Sequence, residues 1–235
     1  MSSKDATLQA RVLRVHERIS AAARAAGRDP ATISLLAVSK AFSAGDVLAA
    51  TRAGLRQFGE SYVQEGAEKI ARVREVAGLA LEWHFIGPIQ ANKTRLLARS
   101  FDWVHSVDRL RIAQRLAEQR PSDLPPLNVL LQVNISGEQT KSGVSPPEVG
   151  ALAAAIAALP HLRLRGLMAI PAPAKDPAEQ REPFRRLREL LQTLQARGHA
   201  LDTLSMGMSE DLEAAILEGA TIVRVGTAIF GARAT

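Results

Sequence analysis

Leu8, Val12, Val15 and Ile19 recur at helical spacing within residues 5–26, with charged side chains between them. The chain therefore opens with an amphipathic helix, and Gly27 is its stop. Beyond it the pattern changes to short apolar or β-branched runs near 33–39, 56–60, 82–87, 102–107, 127–134, 163–170, 202–206 and 221–225. Helical patterns separate them, over 44–53, 62–76, 91–98, 108–119, 146–158, 177–197 and 209–218. Strands alternating with single helices predict βαβ units and a parallel sheet. Eight such runs in 235 residues fit an α/β fold of one (β/α)8 TIM-type barrel with an extra N-terminal helix. An open doubly wound sheet is the alternative. It would show fewer strands and a Gly-rich first turn, whereas the first turn here is Lys40-Ala41-Phe42-Ser43. No repeat or linker divides the chain, so residues 1–235 are expected to form a single domain. The most loop-like stretch, Pro171 to Gln180, is expected as a mobile βα loop after the sixth strand.

Composition removes several function classes. The chain has no cysteine, hence neither a disulfide framework nor a thiolate metal site. It holds no HxH, HExxH or carboxylate cluster that would suggest a metal. The first twenty residues carry charges throughout and lack the apolar core of a secretory signal. No window approaches the ~18 uninterrupted apolar residues of a membrane span. The expectation is a soluble, cytoplasmic protein that does not engage membranes. The net charge of +6 is spread along helix-like segments, and its densest cluster, Arg181 to Arg188, is interrupted by Glu182, Pro183, Phe184 and Leu187. Specific nucleic-acid binding is therefore not expected. Only six of the 30 basic residues are lysines, which makes each lysine more informative.

In a barrel, active sites form at the C-terminal ends of the strands. Lys40, His84, Asn134, Met168 and Gly207 lie at or near such ends. Lys40 closes the strand SLLAVSK, Ser34 to Lys40. Its ammonium either snorkels into solvent or, desolvated at the barrel mouth, supplies a neutral amine that attacks a carbonyl. In SMGMSEDLEAAILEG, Ser205 to Gly219, Ser209 reads as an N-cap with Glu210 and Asp211 in the first helical turn. Such an N-terminus suits a phosphate, although capping alone also accounts for Ser209. In TIVRVGTAIFG, Thr221 to Gly231, Arg224 lies within an apolar strand, and Gly226 and Thr227 follow at its end. A buried guanidinium needs an acceptor, from protein or ligand. Strand eight of a closed barrel neighbours strands one and seven, and the loops after strands seven and eight are a recurrent phosphate site. A lysine amine, a phosphate cradle and a buried arginine on one quarter of the mouth together ask for pyridoxal 5′-phosphate (PLP). An arginine facing the pyridine nitrogen cannot accept its proton, so the ring stays neutral and is a weaker electron sink.

AVSK, FGESYVQE (Phe58 to Glu65), WHFIGPIQANK (Trp83 to Lys93), KSG (Lys141 to Gly143), GLMAIP (Gly166 to Pro171), SMGMSED (Ser205 to Asp211) and VRVGTAIFG (Val223 to Gly231) occur in order along the chain. Together they resemble the YggS/PROSC family of pyridoxal phosphate homeostasis proteins. The resemblance implies a barrel like the N-terminal domain of alanine racemase. It also implies that Lys40 carries PLP as a Schiff base and that Ser209, Gly226 and Thr227 surround the phosphate. Arg224 would face the pyridine nitrogen, and Met168 would line the pocket. Position 61 is Ser where the family more often has an Asn close to the cofactor ring, which makes Ser61 the corresponding site residue. After the lysine the family often continues with Thr and a Pro-containing loop, and here Ala41-Phe42-Ser43 stands instead.

His84 and His105 are expected to be structural histidines. Asn92, Lys93 and Lys141 fit either an anion contact or ordinary surface roles. The function expected is a monomeric PLP-binding protein that buffers the cofactor and hands it to apo PLP-dependent enzymes without robust turnover. Racemases of this architecture add a C-terminal β domain carrying a catalytic tyrosine, and this sequence stops at Thr235 after the eighth βα unit. The alternative is a small, weakly active amino-acid racemase. It requires that His84 or Tyr62 reach the second face of the cofactor, because a two-base mechanism needs a proton donor on each side. A third reading is a phosphate-binding barrel without PLP, with Lys40 in solvent.

Overall fold

The computed structural model describes residues 3–78, 80–138, 142–174 and 176–232. Eight strands are formed by Ser34–Val38 (β1), Gln57–Glu60 (β2), Glu82–Phe85 (β3), Trp103–Val107 (β4), Leu127–Gln132 (β5), Leu162–Met168 (β6), Thr203–Ser205 (β7) and Ile222–Val225 (β8). The helices are Ser3–Ala25 (α1), Ala44–Arg52 (α2), Val63–Ala77 (α3), Thr94–Ser100 (α4), Leu110–Gln119 (α5), Val149–Ala157 (α6), Pro177–Ala196 (α7), Leu212–Leu217 (α8) and the short Thr227–Phe230 (α9). All eight strands are parallel and close into a barrel in sequence order. Closure is made by β1 against β8, with Leu36 opposite Arg224 and Ala37 opposite Val225. The open-sheet alternative is thereby excluded. Each strand starts within two residues of the run that predicts it, because uninterrupted apolar runs between polar helices leave little freedom in register.

Local chemistry sets the helix starts that frame the barrel mouth. Ser43 caps α2 in a reciprocal capping box with Asp46. Asp176 caps α7 through the N–H groups of Ala178 and Glu179, with Pro177 at the first helical position. In α1, Val12, Val15 and Ile19 are buried against the rest of the chain, as its spacing predicts, and Gly27 takes the left-handed conformation just past its end.

Strand alternation divides the buried residues into two shells. Leu35, Ala37, Trp83, Phe85, Val104, Leu204, Val223 and Val225 pack outward in the large core between sheet and helices. The complementary parity points into the barrel, where Trp103, Leu130 and Met168 form a separate small cluster. Leu36, opposite Arg224, shares that inward parity and is fully buried. Beside these apolar residues, His84, His105, Ser205 and Arg224 are almost fully buried and joined by hydrogen bonds. His84 and His105 are thus structural in their contacts, and His84 lies within the barrel rather than at its mouth. Among the described residues no helix is long and apolar enough to cross a membrane, and no group of three or more His, Cys, Asp or Glu is placed to hold a metal.

Gly166 in β6 tests the tightness of the closure. A Cβ there would lie 1.9 Å from the carbonyl oxygen of Thr203 in β7, an atom the sheet cannot move aside. Gly166→Ala is expected to lower unfolding stability by about 2–3 kcal/mol, read as a fall in the denaturant midpoint at unchanged m-value.

Candidate functional site

One cavity of about 370 Å³ opens where the C-terminal ends of β1, β2, β3, β6, β7 and β8 converge. It is lined by Lys40, Ser61, Ser209, Arg224, Gly226 and Thr227 among others. Six of the seven residues expected at the site from sequence therefore share one cavity. The exception is Met168. It is fully buried and clusters with Trp103 and Leu130. As the last residue of β6 it points into the barrel, and the cavity wall on this side is built by the following loop, Ile170 to Ala174. Met168 is therefore outside the cavity lining.

Ser209 is at the cavity, but it is not a helix cap. Helix α8 starts at Leu212 with Asp211 in the cap position. The chain turns earlier because Gly207 adopts a left-handed φ of +91°, where other residues are strained. The Asp211 carboxylate then accepts from the N–H of Met208. The Ser209 carbonyl is held from outside the barrel by Arg18 Nη2 at 2.9 Å. The same guanidinium pairs with Glu213 through two bonds of 2.7 and 2.8 Å. Helix α1 therefore braces the loop that carries Ser209, which the amphipathic pattern of α1 did not reveal.

The segment around Lys40 is gripped from both sides. Lys69 of α3 is 5% exposed and donates to the Ser39 carbonyl at 2.8 Å and to Glu60 at 2.7 Å. Glu60 is fully buried and also accepts from the Ser39 hydroxyl at 2.6 Å. Glu65 bridges Lys69 at 3.0 Å and the N–H of Ala41 at 2.8 Å. Burial pushes the Glu60 carboxyl above its ordinary range, with the Lys69 charge opposing. Ala41 takes a left-handed φ of +64°, costly for a residue with a Cβ. That bend turns Phe42 onto Phe230 with ring centroids 4.8 Å apart. The departure from the usual family loop thus places an aromatic wall at the cavity, since Phe42 is one of its lining residues. The signal for Lys69 was present in sequence. It falls three residues from Gly66 on the buried stripe of α3 and four from Glu65.

Arg224 is 3% exposed. Its Nη1 donates to Ser205 Oγ at 2.8 Å and its Nη2 to the Ala169 carbonyl at 2.9 Å. Burial lowers its pKa to about 10, with Asp211 acting in the opposite sense, so it remains a cation at neutral pH. Two of its five N–H donors are used in these two bonds, and it reaches the cavity beside Gly226. A Cβ at Gly226 would approach the Val38 carbonyl oxygen to 3.4 Å, so the β8 end lies close against β1. Tyr62 and His84 are not among the cavity-lining residues; Tyr62 is exposed at the start of α3. Asn92 and Lys93 lie in a single helical turn before α4, outside the cavity lining. Lys141 lies outside the described residues.

The closed parallel barrel thus brings Lys40 just past β1, Arg224 on β8, and Ser209, Gly226 and Thr227 after β7 and β8 to one cavity, on a fold shared with alanine racemase. The model of the family described as "Alanine racemase, N-terminal domain" matches residues 14–234, and the chain belongs to that family. Within it, the chain is a member of the pyridoxal phosphate homeostasis proteins. It is 63% identical over 227 residues to the pyridoxal phosphate homeostasis protein of Pseudomonas aeruginosa, covering 97% of this chain and 96% of that one. The solved structure of PipY from Synechococcus elongatus with PLP bound is 34% identical, with a TM-score of 0.79 over 92% of this chain and 100% of PipY. Alanine racemase of Corynebacterium glutamicum shares the fold at 19% identity, with a TM-score of 0.67 over 94% of this chain and 61% of the racemase.

Replacing Lys69 tests the clamp. Lys69→Met leaves the Glu60 carboxyl buried without its cation, which is expected to cost about 3–5 kcal/mol. Thermal melts of the purified variant, alone and combined with Glu60→Gln, check this. The double variant should recover part of the loss.

Proposed function

We propose that this chain binds PLP as a Schiff base on Lys40 and acts as a cofactor reservoir in the cytoplasm, delivering PLP to apo PLP-dependent enzymes. The observation that carries the reading is the convergence of Lys40, Arg224, Ser209, Gly226 and Thr227 on one cavity of a size suited to a small cofactor. The likeness to PLP homeostasis proteins over nearly the whole chain supports it. When bound, PLP supplies an aldehyde and an electron-withdrawing ring. Lys40 would be the amine that condenses with that aldehyde, with loss of water.

The residues present fit that group. Gly226 and Thr227 open α9 at the cavity rim, and with Ser209 they offer small side chains, hydroxyls and backbone N–H groups to a phosphate. Arg224 is cationic and can only donate, so it opposes protonation of the ring nitrogen. Ser61 lines the same cavity from the end of β2. Phe42 supplies an apolar wall. The weak electron sink that Arg224 enforces suits storage better than turnover. The racemase alternative loses its two nominated second-face donors, because His84 is committed to Glu82 and His105 and Tyr62 lies off the cavity lining.

The test is borohydride reduction of the PLP-treated protein followed by peptide mass spectrometry. The reading expects one reduced adduct, on Lys40, and a band near ~420 nm before reduction. Lys40→Ala should abolish both and leave apo thermal stability within about 0.5 kcal/mol. Arg224→Ala should cost about 2–3 kcal/mol, because Ser205 and the Ala169 carbonyl lose a charged partner. An unmodified Lys40 would overturn the reading. Exchange of the α-hydrogen of alanine for deuterium at about 1 s⁻¹ or faster would replace it with an enzyme.

A further inference from the structure

The barrel interior holds a polar chain that the cavity does not account for. Starting from Arg224, Nη1 donates to Ser205 Oγ at 2.8 Å. Ser205 Oγ lies 2.9 Å from His105 Nδ1, and His105 Nε2 lies 2.8 Å from His84 Nδ1. His84 Nε2 lies 2.9 Å from Glu82 Oε1, which also accepts from Gln57 Nε2 at 2.9 Å. The chain therefore crosses the barrel from β8 through β7 and β4 to β3. Ser205, His105 and His84 are fully buried, while the Glu82 side chain is 39% exposed at the opposite end.

A guanidinium only donates, so Ser205 Oγ accepts from Arg224. The remaining bonds, Ser205 to His105, His105 to His84 and His84 to Glu82, join that cation to a carboxyl group at the far end without a break. Burial first, and then the neighbouring His84 and Arg224, hold the His105 imidazole well below its usual range. The Glu82 carboxyl stays below its ordinary range: burial would raise it, and the contacts with His84 and Gln57 outweigh that.

We propose that this hydrogen-bonded chain fixes the guanidinium of Arg224 at the cofactor's ring nitrogen, and that Ser205 and His105 are positioning residues of the PLP site. The inference rests on the reading of the cavity as a PLP site. None of Ser205, His105, His84 or Glu82 is among the cavity-lining residues, so they act through Arg224. With Ser205 holding one terminal nitrogen and Ala169 the other, rotation of the guanidinium is blocked and its remaining donors keep one direction.

The decisive comparison is Ser205→Thr against Ser205→Val, side chains of the same shape that differ in the hydroxyl. PLP affinity is measured by titration, the bound cofactor's absorbance maximum is recorded, and apo melting is followed alongside. Ser205→Thr is expected to keep the wild-type spectrum. Ser205→Val is expected to bind PLP roughly tenfold more weakly or worse, as loss of a charge-assisted hydrogen bond implies, with a shifted absorbance maximum. His105→Leu, which removes the hydrogen-bond partner of Ser205, should reproduce the Ser205→Val spectrum. Should Ser205→Val not fold, Ser205→Ala removes the hydroxyl without added volume and takes its place. Equal affinity and identical spectra with and without the hydroxyl, in a protein whose Lys40 adduct forms normally, would overturn this inference alone. Absence of any Lys40 adduct in the unmutated chain would overturn the PLP reading and this inference with it.

Discussion

A guanidinium enclosed by a β-barrel is the constraint around which this structure is arranged. Arg224 sits on a strand whose flanking residues, Val223 and Val225, face the apolar layer beneath the helices. Its own side chain has to point inward, away from bulk water. Leaving such a charge without acceptors would cost several kcal/mol. The interior supplies Ser205 and the Ala169 carbonyl, and Ser205 is in turn supported by two histidines and a carboxylate. A (β/α)8 barrel ordinarily fills its interior with bulky branched residues. Here Trp103, Leu130 and Met168, with Leu36, share the interior with the hydrogen-bonded polar residues that hold one cation at the mouth.

The second requirement is a lysine held in place at a strand end. The clamp acts on the backbone. Lys69 and Glu60 secure Ser39, Glu65 secures Ala41, and the left-handed Ala41 makes the reversal that turns Phe42 onto Phe230. A buried ion pair is a poor source of net stability, so its presence beneath Lys40 is better explained by position than by energy. The N-terminal helix adds a third restraint through Arg18 and the Ser209 carbonyl. The cavity is thus fixed from β1, from β8 and from the loop after β7 by separate polar contacts.

Much of this was legible in the sequence, for physical reasons that differ by feature. The barrel was readable because every strand is an apolar run bounded by helical periodicity, and closure followed from counting them. Lys40, Arg224, Gly226 and Thr227 stood out because a charge or small residues at the end of an apolar strand must be explained. The place of Met168 outside the cavity lining was not legible, because sequence gives the parity of a strand residue but not its depth in the barrel. Ser209 was misassigned as a cap because the left-handed Gly207 turns the chain before the helix begins. The chain from Ser205 to Glu82 was hidden because its members lie on three strands, β7, β4 and β3, and touch only when the barrel closes. His84 and His105 read singly are ordinary core histidines.

The central claim is that a cation held by the barrel faces the ring nitrogen of bound PLP and keeps it unprotonated. The most direct test is the ¹⁵N chemical shift of PLP labelled at the ring nitrogen, bound to the protein at neutral pH. A shift in the range of a free-base pyridine is the predicted result. A pyridinium shift would contradict the account, because a ring nitrogen carrying its own proton cannot accept from Arg224.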